Sequence, residues 1–133
     1  MRLHHTEYNG DGTIKSDKDS PIIFNFNSDQ VIGSIIEVFW YNAEQDNNPS
    51  DPSHEMKLEI KFLLDDVEQE TFTSISYSSS GNSMRTLAMV TSKVFDQFII
   101  RTPFTNPGVS GKHPVIPEVK INQGNTTVTL ITD

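Results

Sequence analysis

Hydrophobic residues in this chain fall into short runs with a period of two, the pattern typical of β-strands. The longest strongly β-forming run covers residues 31–41 (VIGSIIEVFWY) and holds the only tryptophan, Trp40. Alternate residues of a strand point to opposite faces, and here both faces are largely apolar. The run therefore predicts a central strand covered on both sides, with Gly33 at a bulge or a close backbone approach.

A shorter run precedes this predicted central strand. Residues 21–26 (PIIFNF) place Ile22, Phe24 and Phe26 on one face, which predicts a half-buried strand. The Asn, Ser and Asp at residues 27–29 predict a turn that leads into the central strand.

The middle of the chain predicts a β-hairpin. Apolar and charged residues alternate over residues 56–64, Asp65-Asp66 predicts a turn, and residues 67–77 return as the partner strand. Opposite charges could pair across this hairpin, with Lys57 and Lys61 facing Glu68 and Glu70.

Four further segments follow. Residues 84–93 fit a helical face and a two-residue alternation almost equally, and we favour the strand. Residues 94–101 (VFDQFIIR) predict a strand, and residues 118–122 and 126–132 predict a closing hairpin. The expected faces of the strand over 94–101 are Phe95, Ile99 and Arg101 on one side and Val94, Phe98 and Ile100 on the other.

About eight strands with antiparallel links predict an all-β fold, an antiparallel β-sandwich with a jelly roll as one form of it. Two long irregular loops interrupt the strands, at residues 42–55 and 102–117, and four of the seven prolines lie in the second. We expect one domain over residues 1–133, with residues 1–20 as an extended arm that forms at most a small hairpin.

Composition narrows the function classes. The net charge is −8, from 18 acidic and 10 scattered basic residues, which argues against nucleic-acid binding. Without cysteine there is no disulfide and no thiolate metal site. No apolar run reaches the ~20 residues of a membrane-spanning helix, and no secretory signal is visible. We therefore expect neither nucleic acid nor a membrane among the partners.

Metal and cofactor motifs are incomplete. Glu7, Asn9, Asp11 and Gly12 match the opening spacing of a calcium loop, but Lys18 occupies the position where that loop needs a carboxylate. The histidines lack zinc-site spacing and are interpreted as solvated side chains: His4, His5, His54 and His113. The expectation is no metal and no cofactor.

Catalytic motifs are also missing. A glycosidase needs two carboxyl groups at a defined distance, and the sequence does not determine the distance between any two of its acidic residues. The candidates for such a pair are Asp65, Asp66, Glu68, Glu70 and Asp96. Neither a G-x-S-x-G nucleophile elbow nor a phosphate-binding glycine motif occurs. We expect that the protein is not an enzyme.

One binding hypothesis is a carbohydrate-binding or lectin-like module. Aromatic rings at the edge of a sandwich can stack on sugars, and amide and carboxylate side chains can bind hydroxyl groups. The candidate ligand-binding residues are Trp40, Tyr41, Asn42, Asp46 and Asn47. The competing interpretation of Trp40 is a core residue, since it shares the parity of Ile36 and Val38.

The preferred hypothesis is a structural protein that acts through protein surfaces. Arms with few apolar side chains become ordered when they lie across a neighbour or across the protein's own sandwich. The candidate partner-binding residues are Tyr8, Ile14, Phe104, Val109 and Val115. A small acidic, cysteine-free sandwich with arms resembles, by type, accessory virion proteins of bacteriophages, such as capsid cement or decoration proteins and small tail or fibre proteins. That resemblance implies a homo-oligomer, or binding to a capsid or tail lattice, and a virion location, with the cytoplasm as the alternative.

Overall fold

The computed structural model of the chain describes residues 7–8, 14–16, 21–42, 55–56, 58–74, 77–78, 84–102 and 114–132. Every regular element in these residues is a β-strand, so the predicted all-β class is confirmed. The strands are β1 Glu7–Tyr8, β2 Ile14–Ser16, β3 Ile22–Gln30, β4 Ile35–Asn42, β5 Glu55–Met56, β6 Glu59–Leu64, β7 Val67–Thr73, β8 Tyr77–Ser78, β9 Arg85–Val90, β10 Phe95–Arg101, β11 Pro114–Gln123 and β12 Thr126–Thr132.

Eight strands form two antiparallel sheets. The first sheet has the order β3-β10-β6-β7 and the second the order β12-β11-β4-β9. Only the pairs β6–β7 and β11–β12 are hairpins within a sheet, and the other steps between successive main strands cross from one sheet to the other. The predicted antiparallel β-sandwich is confirmed. The pairs β1–β2 and β5–β8 lie apart from these sheets.

A single hydrophobic cluster fills the space between the sheets. The first sheet contributes the aromatic side chains Phe62, Phe95 and Phe98, all fully buried. The second sheet contributes aliphatic side chains on its inner face, among them Ile36, Val38, Val119 and Ile121. The inner face of each sheet is covered by the other sheet. The alternation of apolar and polar residues along a strand therefore identifies the side chains that form the core.

The central strand differs from its prediction at its start. β4 begins at Ile35, and residues 31–34 form a turn in which Gly33 has a φ of 86°. Residues with a Cβ atom are strained at a positive φ, whereas glycine is not. Gly33 therefore allows the chain to turn here, and residues 31–34 do not continue the strand. Downstream the predicted inner face is confirmed, because Ile36, Val38 and Trp40 are buried.

The strand before this turn is longer than predicted. β3 runs from Ile22 to Gln30, so the turn predicted at residues 27–29 is wrong. They lie between the register pairs that join Asn25 to Gln97 and Gln30 to Phe95, where the register with β10 shifts. The predicted inner face of Ile22, Phe24 and Phe26 is confirmed by their burial and packing against the core.

The two strands β9 and β10 follow the favoured interpretation, with one correction. Residues 85–90 are a strand, not a helix. In β10, Phe95 and Phe98 are both buried although the sequence assigned them to opposite faces. Between Phe95 and Gln97 the register with β3 is irregular, because two residue steps on β10 match five steps on β3, from Asn25 to Gln30. This irregularity separates Phe95 from the regular pairing of residues 97–100.

Both predicted hairpins are present, but the strands of the middle one are shorter than predicted. β6 begins at Glu59 and not at residue 56, and β7 ends at Thr73 and not at residue 77. Asp65 and Asp66 both have positive φ, as a type I′ turn requires, and Lys61 lies 3.8 Å from Glu68 across β6–β7. Lys57 lies outside the described residues. At the β11–β12 turn Gly124 has positive φ while Asn125 does not, as in a type II′ turn.

The segments predicted as irregular contain short strands where they are described. β11 begins at Pro114, so residues 114–117 belong to the second sheet and not to a loop, and Ile116 is fully buried. The small hairpin allowed in the N-terminal arm is present as β1 and β2. The assignment of the whole chain to one domain stays a prediction.

Candidate interaction surface

The structure describes three of the five predicted partner-binding residues. Tyr8 and Ile14 are register partners in the β1–β2 hairpin, whereas Phe104 and Val109 lie outside the described residues. Val115 lies in β11 with 8% of its surface exposed. Since the protein's own sandwich covers Val115, that residue cannot anchor a partner without local opening.

The structure describes three of the five residues of the carbohydrate hypothesis, and these three are consecutive on β4. Trp40 is 3% exposed and belongs to the hydrophobic cluster, so its indole is not available for stacking on a sugar. Tyr41 is half-buried, and Asn42 is the last residue of β4. Asp46 and Asn47 lie outside the described residues. The core interpretation of Trp40 is the one the structure shows.

The acidic residues considered for catalysis join neighbouring strands and turns. Both Glu70 carboxylate oxygens accept hydrogen bonds from Ser92, from its backbone N–H at 2.9 Å and its hydroxyl at 2.6 Å. Glu68 accepts from the Thr71 hydroxyl, and Asp96 accepts from the Asp65 backbone N–H at 3.3 Å. Within the described ranges, no group of three or more histidine or acidic side chains could hold a metal ion.

Tight turns gather at one end of the sandwich. The register places Ile35, at the start of β4, beside Val90 at the end of β9 and Asn122 near the end of β11. On the first sheet, Gln30 at the end of β3 is opposite Phe95 at the start of β10. The turns at this end cover residues 31–34, 65–66, 91–94 and 124–125.

Hydrogen bonds to Thr91 fix the turn at residues 31–34. The Gly33 N–H donates to the Thr91 carbonyl at 2.8 Å, and the Thr91 N–H donates to the Ser34 carbonyl at 2.9 Å. The Ser34 hydroxyl donates to the Val31 carbonyl at 2.6 Å. Ser34 and Thr91 are buried and the Ser34 hydroxyl bond is part-buried, so water competes less for these bonds than it would on an open surface.

A side-chain amide ties the same turn to the closing hairpin. The Gln123 amide nitrogen donates to the Gln30 side-chain oxygen at 2.8 Å and to the Ser34 hydroxyl oxygen at 3.1 Å. Residues from β3, the turn and β11 are thereby held together across the two sheets. The conformation of the turn is thus determined by contacts distant in sequence.

This fixed turn carries exposed aliphatic side chains. Val31 is 58% exposed and Ile32 is 61% exposed. Ile35 and Val90, register partners on β4 and β9, are 38% and 59% exposed beside the turn. We call Val31, Ile32, Ile35 and Val90 the aliphatic corner. Clustered apolar side chains in water are characteristic of interaction sites, whereas isolated ones are ordinary.

Sequence reasoning missed the aliphatic corner because it treated hydrophobicity as burial. The signal that could have located it is Gly33-Ser34, a turn-forming pair directly after two β-branched residues. Residues in a tight turn at the end of a sandwich have no facing sheet to cover them. Turns are usually formed by small and polar residues, so exposed aliphatic side chains depart from the usual composition of a turn. Such departures from local sequence preference are expected at functional sites.

Comparison with known proteins identifies no relative of this chain. No protein-family model matches it, no curated protein is matched in sequence, and no solved structure matches its fold. Within the described part of the chain, no helix is long and apolar enough to cross a membrane. The aliphatic corner is therefore the feature on which a functional proposal rests.

Proposed function

We propose that this protein is a non-enzymatic assembly protein that binds a protein partner through the aliphatic corner. The observation that carries the proposal is the exposure of four aliphatic side chains around a turn held by hydrogen bonds of the buried residues Ser34 and Thr91. A rigid apolar surface loses little conformational entropy on binding, which favours association.

The chemistry of the corner favours a protein as the partner. Valine and isoleucine offer no hydrogen bonds for sugar hydroxyls and no charge for phosphates, so their affinity comes from burial of apolar surface. The chain has a net charge of −8, which would repel a nucleic acid. A partner protein with an apolar depression and a neutral or basic rim fits both properties.

The strength expected from the corner supports a role in a repeating assembly. Full burial of a valine or isoleucine side chain contributes ~1.5–3 kcal/mol, so completing the burial of four half-exposed side chains gives roughly 3–6 kcal/mol. Association itself costs about 4–15 kcal/mol. The corner alone would therefore give weak binding, which suits a lattice that offers many copies of the site.

An accessory virion protein is the specific form of this proposal. Support comes from the chain's small acidic sandwich and from the weak, repeatable contact expected at the corner. Under this proposal the chain occupies a capsid or tail lattice as a cement, decoration, tail or fibre component, and its location is the virion. Purified particles should then contain the chain in a fixed copy number.

The first test is Ile32→Ser, with Val67→Ser as a matched control, because Ile32 and Val67 are each 61% exposed. Val67 lies on β7, which is one edge strand of the first sheet; β3 is the other edge strand. Replacing Ile32 should remove ~1–2 kcal/mol of apolar burial, a roughly 5–30-fold loss of affinity for the lattice. Occupancy is measured by titrating purified chain onto particles that lack it.

The control decides what a loss of occupancy means. Both substitutions remove an exposed apolar side chain, so each should change the free energy of unfolding by no more than about 0.5 kcal/mol. Wild-type occupancy for Val67→Ser with reduced occupancy for Ile32→Ser supports the proposal. Equal occupancy for the two variants contradicts the assignment of the corner as the binding surface.

A further inference from the structure

The edge strands of the two sheets differ in how they are protected. An edge strand presents unpaired N–H and C=O groups, and proteins commonly guard it with charged side chains. β3 carries Asp29, β7 carries Glu68 and Glu70, and β9 carries Arg85. The fourth edge strand, β12, carries no charge. Its register with β11 shifts at Leu130, which leaves residues 126–129 in regular pairing before that irregularity.

β12 has the composition of a strand that pairs on both sides. Its seven residues, TTVTLIT, contain no charged residue, proline or glycine, and all but Leu130 are β-branched. Side chains from Thr126 to Thr129 are exposed, and Val128 is 47% exposed. Among the described strands its only partner is β11.

The hairpin geometry identifies the backbone groups that point outward from β12. In a two-residue hairpin, the pair that closes the turn exchanges hydrogen bonds, here Gln123 and Thr126, and the following pairs alternate. Thr127 and Thr129 are therefore in non-hydrogen-bonded pairs with β11. Their N–H and C=O groups point away from β11, toward the side of β12 on which no described strand lies.

We propose that β12 pairs antiparallel with β12 of a second copy of this chain, across a two-fold axis at Val128. In this register Thr127 of each copy exchanges hydrogen bonds with Thr129 of the other, and the two Val128 side chains meet. The second sheets of the two copies then form one continuous sheet. This proposal goes beyond the aliphatic corner and does not rest on it.

The uncharged, self-complementary sequence of β12 makes a second copy the occupant that this edge fits. Two chains of net charge −8 repel each other, and pairing through β7 would bring Glu68 and Glu70 of both copies together. β12 is the edge at which two copies meet without charges in the contacting strands. A strand paired antiparallel with its own copy is self-complementary and closes at a dimer, because both open edges are used.

The first arm of the test measures solution mass by light scattering on a sizing column. The wild-type chain should have twice its mass of 15.0 kDa. Thr127→Pro removes an outward N–H while leaving the β11 ladder bonds intact, so it should give a folded chain of single mass. A monomeric wild-type chain, or a folded Thr127→Pro dimer, overturns the proposal.

The second arm uses the absence of cysteine from the chain. Directly opposed residues in a non-hydrogen-bonded antiparallel pair have Cα atoms ~4.5 Å apart, within the range that a disulfide spans. Val128→Cys should therefore form a disulfide-linked dimer under mild oxidation. Val67→Cys is the matched control and should remain monomeric on a denaturing gel. Equal cross-linking of the two variants contradicts the proposed register.

The outcomes separate this proposal from the proposed function. A monomeric Thr127→Pro chain should keep its aliphatic corner and still contact the lattice. Ile32→Ser should remain a dimer, because Ile32 lies in the turn before β4 and not on β12. If Ile32→Ser becomes monomeric, the dimer is formed through the corner and the β12 proposal is wrong.

Discussion

Replacing Phe98 with alanine is the sharpest test of how the sandwich is stabilised. Phe98 lies on β10, a central strand of the first sheet, and is fully buried. Its ring centroid lies 4.6 Å from that of Phe24, 5.8 Å from Phe26, 5.6 Å from Phe62 and 6.2 Å from Phe95. The ring thus joins side chains from three strands into one aromatic cluster.

The expected loss follows from burial and ring contacts. Truncation of a buried phenylalanine to alanine costs about 3–5 kcal/mol, which includes the cavity left behind. Aromatic pairs contribute ~0.5–1.5 kcal/mol each beyond their buried area, so a residue with four ring neighbours belongs near the upper end. Small domains have a total stability of about 5–15 kcal/mol, so the variant should be marginally folded.

Equilibrium unfolding in urea, followed by Trp40 fluorescence, measures this loss. Ile23→Ala is the control, since Ile23 is 50% exposed on the outer face of the neighbouring strand β3. We expect a loss of about 4 kcal/mol for Phe98→Ala and about 0.5 kcal/mol or less for the control. A loss below about 1 kcal/mol for Phe98→Ala would refute the assignment of this cluster as the principal core.

Two smaller substitutions test the turn end of the sandwich. Asp66→Gly should raise the free energy of unfolding by about 0.5–1 kcal/mol, because Asp66 has a φ of 65° and glycine adopts it without strain; a lower unfolding midpoint would contradict the type I′ turn. Glu70→Gln should cost about 1 kcal/mol by weakening its two bonds to Ser92, whereas Glu68→Gln should cost about 0.5 kcal/mol or less; equal losses would show that the Ser92 contact adds nothing.

The parts of the fold predicted from sequence are those set by local alternation. The inner faces of β3 and β4 follow from Ile22, Phe24 and Phe26 and from Ile36, Val38 and Trp40, because a strand with one covered face must alternate. Bulges break this logic. The register shift after Phe95 depends on pairing with β3, a strand distant in the chain, and the residues of β10 alone do not encode it.

The candidate site was beyond prediction for the same physical reason. Residues 31–34 have the composition of a strand, and their turn is held by Thr91 and Gln123, far along the chain. Val115 was predicted to lie in a loop and to contact a partner, but it is a buried residue of β11. The tertiary fold decides which of the apolar side chains in these segments remain exposed, and hydrophobicity alone does not encode that choice.

The two proposed surfaces are compatible because they lie at different edges of the second sheet. In the order β12-β11-β4-β9, dimerisation uses β12, while the aliphatic corner includes Val90 on β9 and Ile35 on β4. Across a dimer the two β9 strands are seven strand spacings apart, roughly 34 Å at ~4.8 Å per spacing. A dimer would thus present two weak corners at a fixed separation. Linked sites raise overall affinity by about 10²–10⁴-fold when the lattice matches their spacing, so a monomeric chain with an intact corner should occupy the lattice less well.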